Sequence, residues 1–145
     1  MKPITLGIIL CSALLGLAQA AQAHECSVSD AAGRYGYTSS GSIVTPPVGP
    51  FTAVGRVTFT ESGTFSGAQT TSFAGNLVDE TLEGTFSVNP DCTGSMSASV
   101  FHGTTLVRAS RLSVVWDIHQ NEARAIFLTP GTNISIVARK MAEED

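Results

Sequence analysis

From Gly33 to Arg139 the chain is a string of short runs in which apolar and polar residues alternate, each ended by a turn signal. Alternation with a period of two puts one face of a run on a core and the other in solvent, as a half-buried β-strand requires. The clearest case is Leu82 to Val100. Leu82, Gly84, Phe86 and Val88 share one face, Met96, Ala98 and Val100 share the facing one, and Asn89-Pro90-Asp91-Cys92 is the tip. Pro90 suits the second position of a type I turn, where its fixed φ helps and its missing N–H does no harm. The stretch reads as a β-hairpin with a cysteine at its turn.

The same grammar runs through the rest. Tyr35 and Tyr37 alternate in a first run, and Thr45 to Pro50 carries three prolines that bar a central strand. Val54 to Thr60 leads through Glu61-Ser62-Gly63 into Thr64 to Phe73, and Ala74-Gly75-Asn76 turns the chain again. After the 82–100 hairpin, His102-Gly103 is a tight turn, and Leu106 to Ile118 reads as the longest strand, with Leu112, Val114, Trp116 and Ile118 on one face. His119 to Glu122 turns, Ala123 to Leu128 returns, Thr129-Pro130-Gly131-Thr132 has the Pro-Gly signature of a type II turn, and Asn133 to Arg139 is the last strand.

The connections suit hairpins and are too short for crossover helices. An all-β fold follows, with about eight antiparallel strands in a meander. Such a meander closes into a small barrel, which removes both edges. A β-sandwich is the alternative, and it would need longer Greek-key connections.

The ends set the compartment. Lys2 followed by the uncharged apolar run Ile4 to Leu17, with small-x-small sites at Ala18-Gln19-Ala20 and Ala21-Gln22-Ala23, reads as a cleaved secretory signal over 1–23. The run is too short for a comfortable membrane span, so no span is expected after cleavage. Residues 24–140 form one β-barrel domain, and 141–145 an acidic tail that is expected to fray. The expected location is exported, periplasmic or secreted. Loss of Lys2 leaves seven basic residues against twelve acidic ones, a net charge of −5, and a lone lysine at 140. No basic patch is available to bind phosphates, so no nucleic-acid partner is expected.

Cys11 leaves with the signal, so the exported domain keeps Cys26 and Cys92. An even pair in an oxidising compartment reads as a disulfide; two free thiols are the alternative. The long loop it closes gives it a chain-entropy contribution on the order of 4 kcal/mol.

Gly49-Pro-Phe-Thr-Ala-Val-Gly-Arg-Val-Thr-Phe59, the Gly84-Thr-Phe-Ser-Val88 strand and Asn89-Pro-Asp-Cys-Thr-Gly94 together resemble a family of small secreted bacterial β-barrel proteins with no assigned activity. The resemblance covers most of residues 33–138. The architecture is also similar to closed barrels of the allene oxide cyclase and lipocalin kind, without their signature motifs, and a fold licenses no function by itself.

Parity sends Val57, Phe59, Leu82, Phe86, Val114 and Trp116 inward, together with Gln69, Thr71, Arg108 and Ser110. Small residues on the same face (Gly55, Gly67, Gly84, Ala98) either leave room for one small ligand or mark bends over a filled core. Tyr37, Gln69, Arg108 and Trp116 are the candidate ligand-binding residues of the lumen. Arg108 would need a carboxylate or an anionic head group inside the barrel; otherwise it belongs at the wet rim. Asp79-Glu80 and Glu83 read as a solvated acidic turn. His102 and His119 fall at turns. Cleavage after Ala23 would make His24 the first residue, and its amine and imidazole would then resemble half of the copper brace of oxidative polysaccharide enzymes. With only the terminal residue in view, no metal site is assigned.

Catalytic motifs such as G-x-S-x-G and H-E-x-x-H are missing. No catalytic residue and no cofactor is expected. The expected function is binding of a small apolar or amphipathic ligand in the lumen, against a barrel isomerase or cyclase and against a structural protein with a filled core. The oligomeric state is left open.

Overall fold

The computed structural model describes residues 24–142. The expected signal over 1–23 and the last three residues of the acidic tail lie outside the described residues. A one-turn helix α1 (Val28–Ala31) precedes eight strands: β1 (Gly33–Ile43), β2 (Gly49–Phe59), β3 (Thr64–Phe73), β4 (Asn76–Val88), β5 (Thr93–His102), β6 (Thr105–Trp116), β7 (Glu122–Phe127) and β8 (Thr132–Lys140). They follow one another round a closed antiparallel barrel, and β8 pairs with β1 to seal it. Four of the seven hairpin connections follow from local chemistry. Gly63, Gly75, Gly103 and Gly131 take positive φ at the strand connections, where a side chain would be strained.

Three boundaries differ most from the sequence reading. β2 begins at Gly49, not Val54, so Pro50 lies within a paired strand, opposite Ser42, and the prolines bar a strand only over Pro46 and Pro47. β4, not β6, is the longest strand, because it begins at Asn76 instead of Leu82. β6 ends at Trp116, so Ile118 falls in the following turn and is exposed. An apolar residue continues a strand only while a neighbour supplies its backbone partners, and β7 pairs with β6 only up to Trp116.

The two ends of the barrel are unlike. At the end bearing the β2–β3, β4–β5 and β6–β7 turns, the interior is filled. The Phe59 ring meets Tyr35, Phe65 and Phe86 at centroid distances of 5.2, 5.5 and 4.8 Å, and Phe86 meets Trp116 at 6.2 Å. The N-terminal segment caps this end. Cys26 is disulfide-bonded to Cys92 at the β4–β5 tip, as the sequence led us to expect. The Cys26 N–H donates to the Pro90 carbonyl at 3.2 Å, and Ala31 is wholly buried on the core. Ser27 caps α1 by accepting from the Asp30 N–H. The opposite end, with the β1–β2, β3–β4, β5–β6 and β7–β8 connections, carries a small separate cluster of Phe51, Ala53 and Ile134.

Candidate functional site in the lumen

One row of the barrel register brings the polar interior residues together. Tyr37 on β1 lies opposite Gly55 on β2, Gly55 opposite Gln69 on β3, and Gln69 opposite Glu80 on β4. Gly55 is the enabling residue. A Cβ there would fall 2.7 Å from the Tyr37 ring and hydroxyl, so only glycine lets the tyrosine lie across β2. The Tyr37 hydroxyl then donates to Gln69 Oε1 at 2.5 Å. Gln69 Nε2 donates to Glu80 Oε2 at 2.7 Å and to Thr71 Oγ1 at 3.1 Å, and the Thr71 hydroxyl donates to the same carboxylate oxygen at 2.7 Å. Arg108, on β6, completes the chain with Nη1 to Oε1 at 2.9 Å and Nη2 to Oε2 at 2.7 Å.

Glu80 is the residue that sequence reasoning missed. It sits inside β4, not in an acidic turn, and is 6 % exposed. The signal was present: counting two back from Leu82 on the inward face reaches Glu80. Asp79 and Glu83 do stay on the outer face, exposed. Arg108 satisfies both of its expected readings. It has a carboxylate partner and is near solvent, with its side chain 32 % exposed. Its guanidinium also stands 5.7 Å from the centre of the Phe51 ring.

The charges are settled within the network. Burial works to raise the Glu80 pKa, but donation from Arg108, Thr71 and Gln69 outweighs it and holds the carboxyl below its ordinary value. Burial, with the Glu80 charge beside it, pushes the Tyr37 phenol up. At neutral pH the row is therefore a carboxylate, a guanidinium and a neutral phenol. A carboxylate that already accepts four hydrogen bonds is a weak base, and a phenol with a raised pKa is a weak acid.

Beside this row lies a cavity of about 80 Å³. Its wall is mostly apolar, including Val57, Phe65, Val100, Leu112 and Ala125, with Tyr37, Gln69 and Arg108 at its polar side. Ser39 also lines it. That hydroxyl is buried, at 2 % exposure, and has no hydrogen-bond partner among the described residues. Of the four candidate lumen residues, Tyr37, Gln69 and Arg108 line the cavity and Trp116 does not. Trp116 is inside the barrel as its parity requires, but at the capped end, where it packs on Phe86 within the filled core.

A break in strand pairing adjoins the site. β7 is short and pairs with β6 only over Leu112–Trp116. Beyond that point Leu128 donates its N–H to the Arg111 carbonyl at 2.8 Å, and no strand among the described residues pairs with Thr105–Ser110 on that side. Arg108 and Ser110, which line the cavity, belong to this segment without a β7 partner.

No known protein-family model matches the chain, and no curated protein matches it. Among the described residues, no three His, Cys, Asp or Glu side chains gather as a metal-ligand set.

Proposed function

We propose that this chain is an exported binding protein that holds a small apolar or amphipathic molecule in its barrel lumen, in the periplasm or outside the cell. The observation that carries the proposal is an apolar cavity left open beside a fully partnered polar row, with one buried hydroxyl, Ser39, still free. Native interiors close-pack and buried hydroxyls are ordinarily hydrogen-bonded, so an apolar guest with one hydrogen-bonding atom would satisfy both features. Size limits that guest. A water needs about 10–15 Å³ of such space, and a 150 Å³ apolar cavity takes up benzene. The lumen therefore suits a short apolar chain or the end of a larger molecule, with a hydrogen-bonding atom for Ser39 and a polar end towards Arg108. The two-cysteine disulfide fits an oxidising compartment.

Binding is favoured over an isomerase or cyclase because neither Glu80 nor Tyr37 is free to move a proton. Native mass spectrometry of protein isolated from its own host tests the proposal. A small molecule released on unfolding, and absent from an Ala98→Leu variant whose added side chain fills the cavity, is the expected result. Ligand-free protein in repeated preparations, together with no chemical-shift change on adding benzene as a probe, would overturn it.

A further inference from the structure

We propose that the mature chain binds one divalent copper ion through the α-amine and imidazole of His24 and the imidazole of His119. The site lies on the capped end, away from the lumen, and rests on cleavage of the leader after Ala23. Two histidines far apart in sequence meet there. Both are exposed, and their ring centroids are 6.2 Å apart. A metal–nitrogen bond of about 2 Å puts an imidazole centroid about 3.2 Å from the ion, so two imidazoles on opposite sides of one metal stand about 6.4 Å apart. The observed spacing of 6.2 Å is within reach of that arrangement. The α-amine of His24 would supply the third nitrogen, closing a six-membered chelate with its own Nδ1.

The approach is held in place by the fold. Cys26, two residues from His24, is bonded to Cys92. Gln120, next to His119, is wholly buried and clasps Ser27 from both sides: Gln120 Nε2 donates to the Ser27 carbonyl at 2.8 Å, and the Ser27 N–H donates to Gln120 Oε1 at 3.1 Å. The Tyr35 hydroxyl in turn donates to the Gln120 carbonyl at 2.5 Å. Gln120 adopts a φ of +53°, a left-handed conformation that this triple anchoring overrides its intrinsic preference to reach. Neither imidazole enters a hydrogen bond among the described residues, so both nitrogens of each ring remain available. Three nitrogen donors in a tetragonal arrangement select copper among the common divalent ions, and copper also heads the affinity order.

The test uses the exported, disulfide-bonded chain with its native N-terminus, and the copper ion alone as probe. One equivalent of Cu²⁺ should bind with an electron paramagnetic resonance spectrum showing coupling to three nitrogens. His119→Ala should weaken binding by at least the roughly 10- to 100-fold that loss of an outer-shell partner costs, and reduce the coupling to two nitrogens. One alanine added before His24 should weaken it similarly, while His102→Ala should change nothing. His119 is exposed at a turn, so the variant should keep its far-ultraviolet circular dichroism. Equal affinity and an unchanged spectrum in His119→Ala, or an N-terminus at Ala21 in the natural protein, would overturn the proposal. Neither result bears on the lumen.

Discussion

Arg108 holds both oxygens of the Glu80 carboxylate, across 28 residues of sequence and from a strand that does not pair with that of Glu80. This contact lets a charged residue occupy the barrel interior, and it sets the polarity of the cavity mouth. Removing one partner leaves the other uncompensated. Arg108→Met should destabilise the fold by about 2–3 kcal/mol, below the full range for buried pairs because the guanidinium is a third exposed. The double variant Arg108→Met/Glu80→Gln should lose less than the sum of its single changes. Urea unfolding of all four proteins checks this, and strict additivity would rule out the coupling.

Acid should expose the same network. The folded Glu80 pKa lies below its ordinary value of 4.5. Its stabilisation is therefore complete above that value and is lost as pH falls through the lower folded one. The urea midpoint of the wild type should fall more steeply below about pH 4.5 than that of Glu80→Gln. Parallel curves would show that other carboxylates dominate.

The alkaline limb has the opposite sign. Burial, reinforced by the Asp117 charge, pushes Tyr35 from 10.0 up to about 12, and Tyr37 is raised as well. These are the only two tyrosines in the chain. Their contribution is complete below 10 and is lost as pH rises through the folded values. Phenolate absorbance should stay low at pH 10 and rise together with unfolding. Half-ionised tyrosine in a folded protein at pH 10 would contradict the burial.

Gly55 tests the register row. Gly55→Ala places a methyl 2.7 Å from the Tyr37 hydroxyl and from the Ala68 carbonyl. The expected loss is about 1–3 kcal/mol, with displacement of the Tyr37–Gln69 hydrogen bond. Thermal unfolding measures it. The paired variant Gly55→Ala/Tyr37→Phe should lose less than the two separate losses combined.

Ser39→Ala separates stability from binding. Removing a buried, unpartnered hydroxyl should leave stability unchanged or raise it by up to about 1 kcal/mol. Affinity for the lumen guest should fall about five- to tenfold, the worth of one hydrogen bond. Calorimetric titration with the molecule recovered from the host reads this directly, and unchanged affinity would remove Ser39 from the site.

The disulfide closes 66 residues of chain. Cys26→Ser/Cys92→Ser should cost about 4 kcal/mol by the chain-entropy relation. It should also loosen the N-terminal cap before the barrel, which hydrogen exchange at Ala31 and Ala32 would show.

The lumen network was half legible. Tyr37, Gln69, Thr71 and Arg108 could be assigned to the interior by counting alternate residues, because strand parity is a local property. Glu80 was misread through its neighbours: Asp79 and Glu83 resemble a solvated turn unless β4 is started early enough to include them. Trp116 had the right parity and the wrong height, since a parity count carries no information on position along the barrel axis. The approach of His24 to His119 left no trace in sequence at all.

Alternation and turn residues pointed to about eight antiparallel strands in a meander, because each follows from neighbours in the chain, and the two cysteines left beyond the expected signal pointed to the Cys26–Cys92 bond; that the meander closes as a barrel and not a sandwich came from the tertiary structure. Which inward side chains meet, how much of the lumen is filled and what stands beside His24 were decided only by closure of the barrel. Closure sets the stagger between strands, and that stagger fixes the level at which Glu80 meets Arg108, where the aromatic packing stops and where Gln120 receives the N-terminal segment.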